Sequence, residues 1–255
     1  MNDPIIITGF QRSGTTAVAY ALHKIFCNII NESGIMKTAL GEMISMTDRL
    51  GEHIQWRFDE PDLFMDTDIS DYIKKLYMKL LDSEAHSVHF TKDYKDDMKT
   101  SIIDHALREP AHYDYWGDKI TNAAHMVPVI KEIFPDAKII YVLREPLEAI
   151  ASNLRLGWIN SLGNAWSMWM TEFIEYRQWM HSIPHLIVRQ KELLESPQKV
   201  ASDMSKFLDF QFLGRDFGAF VYKGNKPDRV TTNPADYFVS VPNEMMELVE
   251  LARGL

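Results

Sequence analysis

Between the apolar run PIIIT and a helically patterned segment lies GFQRSGTT, residues 9–16, a stretch dense in groups that bind an anion. Gly9 and Gly14 have the spacing of the phosphate-binding loop G-x-x-x-x-G-K-[ST], but Thr15 stands where that motif has its lysine. A glycine-bounded loop between a buried strand and a helix aims main-chain N–H groups and the positive end of the helix dipole at one point. Gln11, Arg12, Ser13, Gly14, Thr15 and Thr16 are therefore the candidate anion-binding set, with hydroxyls from three of them and a fixed positive charge from Arg12. An ordinary strand-to-helix turn would account for the glycines and for a Ser or Thr cap, but not for Arg12 inside the loop. In triphosphate chemistry the missing lysine and a Mg²⁺ ion on the Ser/Thr hydroxyl neutralise the β- and γ-phosphates. Without that lysine, a ligand with a single 5′-phosphate fits better than ATP.

The elements that must hold this loop can be read from hydrophobic period. Residues 5–8 are a β-branched run ending in glycine, and Thr15 to Phe26 carry helical spacing through Val18, Leu22, Ile25 and Phe26. A second unit consists of a helix in MVPVIKEIFPDA stopped near Pro135, the strand KIIYVL, Arg144 at its end, and Pro146 starting the helix PLEAIASNLR. Then come an aromatic helix at about 161–182, the strand HLIVR at 185–189 and the helix SPQKVASDMSKFLDF. The aromatic series Trp158, Trp166, Trp169, Phe173, Tyr176 and Trp179 runs at approximately helical spacing and reads mostly as core, with some of its members expected to wall the acceptor pocket. This alternation predicts an α/β fold, a three-layer sandwich with a mostly parallel central sheet. One domain is expected, with residues 35–114 as a largely helical insertion over the carboxyl edge of the sheet, where an acceptor pocket or lid would sit. The residues from Phe220 onward are weakly patterned.

Composition narrows the partners. With 46% hydrophobic residues among 255, the chain can bury a sizeable core. Its 36 acidic against 27 basic residues give a net charge of -9, which disfavours nucleic acid as a partner and requires any anion site to be locally basic. The single cysteine, Cys27, sits in apolar HKIFCNII and reads as a buried thiol; no intramolecular disulfide is possible. The sequence has no basic n-region before an apolar run, and no segment as long as a membrane span; the expected location is the cytoplasm. Asp93, Asp96 and Asp97 in KDYKDD alternate with lysines and read as a solvated face rather than a metal site, and no Cys/His spacing indicates zinc, so no metal is expected.

ITGFQRSGTT at 7–16 together with YVLREPLEAIASNLR at 141–155 resembles the two cofactor motifs of the sulfotransferases that use 3′-phosphoadenosine 5′-phosphosulfate (PAPS). The resemblance implies that the first motif wraps the 5′-phosphosulfate. It implies too that Arg144 and Ser152, eight positions apart, bind the 3′-phosphate. That spacing is physically sensible: the arginine leaves the end of a buried strand and the serine faces the same side from the second turn of the next helix. YWGDKI at 115–120 is similar to the family's Gly-Asp-Lys segment, whose lysine contacts the transferred sulfonate; here that is Lys119. VRQKELLESPQKVASDMSKFLDF resembles a later strand and helix of the family, with Gln190 where a tyrosine is usual. Lys223 and Arg229 in KGNKPDRV resemble the basic loop that closes on the 3′-phosphate. The resemblance covers residues 4–32 and 115–212, implies a P-loop-like sulfotransferase fold, and is closer to the bacterial and protein-tyrosine type than to the cytosolic steroid and phenol type.

Sulfonate transfer builds negative charge on the bridging and transferring oxygens, so positioned cations should carry most of the catalysis; Arg12 and Lys119 are the candidates. The acceptor hydroxyl also needs a base. The histidine that the cytosolic branch places two residues after the lysine is replaced by Thr121. The glutamate that the protein-tyrosine branch places about 20 residues beyond the loop arginine corresponds to Glu32, with His125 and His89 as alternatives. The expected activity is transfer of a sulfonate from PAPS to a hydroxyl of a small molecule or sugar, releasing 3′,5′-diphosphoadenosine (PAP). A P-loop small-metabolite kinase and a catalytically silent nucleotide-binding or assembly protein are the alternatives. The oligomeric state is not legible.

Overall fold

A computed structural model describes residues 3–25, 28–31, 115–210, 217–221 and 243–255. Among these residues five strands, β1 (Ile5–Thr8), β2 (Asn28–Asn31), β3 (Trp116–Lys119), β4 (Lys138–Leu143) and β5 (His185–Arg189), form one sheet in the order β2-β3-β1-β4-β5. Every pairing is parallel, and Ile7 lies level with Lys119 on β3 and with Ile140 on β4. The strands are short, apolar runs because helices cover both faces. On one face α2 (Val127–Ile133), α3 (Pro146–Arg155), α4 (Leu162–Trp179) and α7 (Asn243–Arg253) pack on Ile6, Ile139 and Tyr141. On the other, α1 (Thr15–Ile25), α5 (Gln190–Glu195) and α6 (Pro197–Leu208) pack on Ile5, Ile7, Ile140 and Val142. The expected three-layer α/β architecture is thus found.

Several boundaries differ from the sequence reading. The aromatic helix spans Leu162–Trp179, capped by Ser161, whose hydroxyl accepts from Asn164 N at 3.2 Å. It therefore excludes Trp158, which is 60% exposed while Trp166, Trp169, Phe173, Tyr176 and Trp179 are buried. Gly157 at φ +69° breaks the chain between α3 and α4, so the helical spacing of Trp158 is coincidental. The supposedly weakly patterned C-terminal stretch holds α7, which buries Val249 and Ala252 and half-buries Met245 and Leu248 in the core that contains Ile6, Ile139 and Tyr141. Its i, i+3, i+4, i+7 stripe is real but is diluted by glutamates.

The core beneath α4 carries a buried polar pair. The Tyr141 and Tyr176 rings stack at 3.9 Å between centroids, and the Tyr176 hydroxyl donates to His185 Nε2 at 2.9 Å. The other imidazole nitrogen, Nδ1, donates to the Ile183 carbonyl at 2.8 Å, which leaves Nε2 as the acceptor. Burial pushes the Tyr176 phenol up to about 12, and burial followed by the charge of Glu172 raises Tyr141 as well. Because the folded chain holds these protons more tightly than the unfolded chain, stability is full below about pH 10 and falls as pH rises through about 12. Urea midpoints measured across pH 9–12 should show this loss, and Tyr176→Phe should make it shallower.

Candidate active site

The loop after β1, the loop after β3 and the start of α3 after β4 meet at the carboxyl edge of the central strands. This is where the chain order reverses across the sheet and where ligands bind in open α/β folds. Gly9 adopts φ +140°, and a Cβ there would lie 2.3 Å from the Val142 carbonyl oxygen, so only glycine lets the loop turn this close to β4. Gly14 adopts φ +101°, and its carbonyl accepts from Ala17 N at 3.0 Å and Val18 N at 3.3 Å, which makes it the residue that opens α1. Thr15 and Thr16 precede these donors, so their N–H groups lie at the open N-terminal end of the helix. Ser13 and Thr15 are buried, while Thr16 is exposed. Thr15 therefore fills the lysine position of the triphosphate loop as a packed residue.

Arg12 is the pivot. Its φ is +72°, a left-handed conformation unusual for a residue with a side chain. Its Nε donates to Ser152 Oγ at 3.3 Å, its carbonyl accepts from Arg144 Nη1 at 3.1 Å, and its guanidinium lies 4.9 Å from the centre of the Trp158 ring. The two motifs separated by more than 130 residues are thus joined through one arginine. Ser152 is 3% exposed, so a buried hydroxyl is presented to a cation. Arg144 is also paired with Glu148 one turn into α3, Nε to Oε2 at 3.2 Å. Glu145 caps that helix by accepting from Glu148 N at 2.8 Å and binds Arg253 of α7 at 2.6 Å, anchoring the C-terminal helix beside Arg144.

Lys119 ends β3, one strand over from the loop, and is 4% exposed. A solvated strand-end lysine would be far more accessible. The segment that follows is tied down by Ile120 N donating to Ile7 O at 2.9 Å and Asn122 N donating to Gly9 O at 3.1 Å. Beyond it, the Ala124 peptide is held by α4: Ala124 N donates to Glu172 Oε2 at 3.0 Å and its carbonyl accepts from Trp179 Nε1 at 2.8 Å. His125 is exposed in this turn. Gln190 begins α5, and its Cγ would touch a side chain at Gly14, so the residue at the usual tyrosine position borders the loop. Glu32, His89, Lys223, Arg229 and the segment 35–114 lie outside the described residues.

Residues 4–213 match the model of a family described as the sulfotransferase family, well over half of the chain. The chain belongs to that family. As a sulfotransferase it has both the Arg12 loop and the Arg144–Ser152 motif inside the matched span, which also includes the insertion that no part of the resemblance covered. No curated protein matches the chain by sequence. Among solved structures, the sulfotransferase domain from the curacin biosynthetic pathway superposes with a TM-score of 0.58 at 15% identity, covering 99% of each chain. The sulfotransferase domain of the Synechococcus PCC 7002 olefin synthase gives 0.56 at 18% identity, covering 98% of this chain and 94% of the other. Sulfotransferase STF9 from Mycobacterium avium gives 0.55 at 15% identity, covering 100% of this chain and 77% of the other. At these identities the likeness carries the fold. Among the described residues of this sulfotransferase, no helix is long and apolar enough to cross a membrane.

Sequence reasoning missed three contributors to the site: Trp158, Asn122 and Asn153. Trp158 gave the weak signal of an aromatic beside the glycine that ends α3. The asparagines gave none, because their partners in the loop lie 111 and 142 residues away.

Proposed function

We propose that this sulfotransferase transfers a sulfonate from PAPS to a hydroxyl of a small-molecule or carbohydrate acceptor and releases PAP. The observation that carries the reading is that Arg12 joins the loop to Arg144 and Ser152, setting two cations and a hydroxyl beside a loop in which Thr15 stands in place of the triphosphate lysine.

In this reading bound PAPS supplies a sulfonate already attached to a phosphate leaving group. The N–H groups at the open end of α1, with Ser13, Thr15 and Thr16, orient the 5′-phosphate, while Gln11 and Gly14 shape the turn. Arg144 and Ser152 hold the 3′-phosphate, and Lys223 and Arg229 close over it. Lys119 and Arg12 offset the charge that grows on the transferring and bridging oxygens. Glu32 takes the acceptor proton, with His125 or His89 as the substitutes for that task. Residues 35–114 supply the acceptor contacts within the same single domain.

The face of Trp158 under the Arg12 guanidinium adds a small effect of predictable sign. An exposed cation–π contact is worth about 0.5–1 kcal/mol, so Trp158→Ala should weaken PAP binding by about threefold, and Trp158→Phe by less. Isothermal titration of the two variants checks this.

The activity itself is tested by incubating the full chain with PAPS and a panel of phenolic, aliphatic and sugar hydroxyls while PAP release is followed. PAP formed in proportion to a sulfonated acceptor supports the reading. PAP binding with no transfer to any acceptor would move the assignment to a silent nucleotide-binding protein.

A further inference from the structure

We propose that Asn122 and Asn153 are positioning residues that set the backbone of the donor loop, fixing Arg12 in its left-handed conformation between the segments that carry Lys119 and Ser152. Asn122 Oδ1 accepts from Gln11 N at 2.9 Å, while Asn122 N donates to Gly9 O at 3.1 Å, so a single residue brackets the loop at two points. Asn153 Nδ2 donates to Gln11 O at 3.2 Å and to Ala149 O at 3.0 Å.

The consequence follows from which peptide planes are held. Gln11 O belongs to the plane on the N-terminal side of the Arg12 Cα, and Asn153 fixes it. Arg12 O and Ser13 N belong to the plane on the other side, fixed by Arg144 Nη1 at 3.1 Å and by Phe10 O at 3.1 Å. With both planes held, Arg12 stays at φ +72° although the conformation disfavours a side chain. Asn122 holds the preceding plane and itself sits at φ +53°, which asparagine tolerates better than most residues.

The orientation of Asn153 is unambiguous. Its side chain is fully buried, its Nδ2 faces two carbonyl oxygens, and Oδ1 has no hydrogen-bond partner among the described residues. The flipped amide would set an oxygen against both carbonyls. Placement is equally telling: Asn122 lies three residues after Lys119, and Asn153 directly follows Ser152. The two clasps therefore lock the donor loop to both neighbouring parts of the site, and a loop held this way needs no rearrangement when the donor binds.

This inference rests on the loop being the donor site, and the test separates the two ideas. Asn122→Gly keeps the left-handed backbone and removes the acceptor oxygen; Asn122→Asp keeps the oxygen. Backbone amide exchange on the full chain should show the Gln11 region exchanging about tenfold faster in Asn122→Gly, the loss expected for one hydrogen bond, with β1 and β4 still protected. Asn122→Asp should restore that protection, and PAP affinity of Asn122→Gly should fall about tenfold. Unchanged exchange in the loop, or protection lost evenly along the whole sheet, would overturn the proposal. If the native chain does not bind PAP, the donor reading fails, and the exchange result alone decides whether the asparagines position the loop.

Discussion

Arg144→Ala should lower the affinity for PAP by about 100-fold, while the affinity for AMP, which lacks the 3′-phosphate, falls far less. The magnitude is that of a charge-assisted hydrogen bond removed from a half-buried site, up to about 3 kcal/mol. Two features of the structure push the effect toward the upper end. Arg144 also donates to the Arg12 carbonyl, so its loss frees the residue at the centre of the loop. It also leaves Glu148, its ion-pair partner at 3.2 Å, as an uncompensated negative charge near the incoming phosphate. Arg144→Lys should fall between native and alanine, since an ammonium keeps the charge but cannot make both contacts of the planar fork. Titration calorimetry with the two nucleotides reads the ratio directly.

Lys119→Ala should act on a different quantity. It should slow PAP release at saturating PAPS and acceptor by about 10²–10³-fold, the usual cost of removing one preorganised donor to developing charge. PAP affinity should change little, because PAP lacks the sulfonate that Lys119 is proposed to contact. The buried position of the lysine at the end of β3, level with Ile7 just before the loop, is what makes a large effect reasonable. A surface lysine screened by water would contribute far less. Equal losses in PAP affinity and in rate would instead mean that Lys119 grips the nucleotide.

Much of the scaffold was legible because its signals are local. PIIIT and KIIYVL are short apolar runs bounded by turn residues, and each became a strand buried on both faces. Pro146 opened its helix as a first-turn proline does. The site was legible only as far as its motifs were contiguous. GFQRSGTT gave the loop, and the Arg144 to Ser152 spacing gave its neighbour, but that they meet through Arg12 depends on β1 and β4 being adjacent, which no local pattern encodes. The same holds for Asn122 and Asn153, whose value lies in contacts made across the sheet order. Trp158 misled in the opposite sense: it shares the spacing of buried aromatics, yet a left-handed glycine ahead of it turns it outward onto Arg12. The C-terminal helix was lost because glutamates such as the exposed Glu247 and Glu250 dilute its apolar stripe, and its Arg253 reaches Glu145 by a contact 108 residues away.

The central claim is that the loop and the Arg144 motif together form a site for a nucleotide with separate 3′- and 5′-phosphates. Calorimetric titration of the native chain with PAP, AMP and Mg·ATP tests it most directly. The structure predicts PAP binding tighter than AMP by about 100-fold, the contribution of one charge-assisted phosphate contact, with Mg·ATP weaker than PAP. Equal affinity for PAP and AMP, or a preference for Mg·ATP, would contradict it.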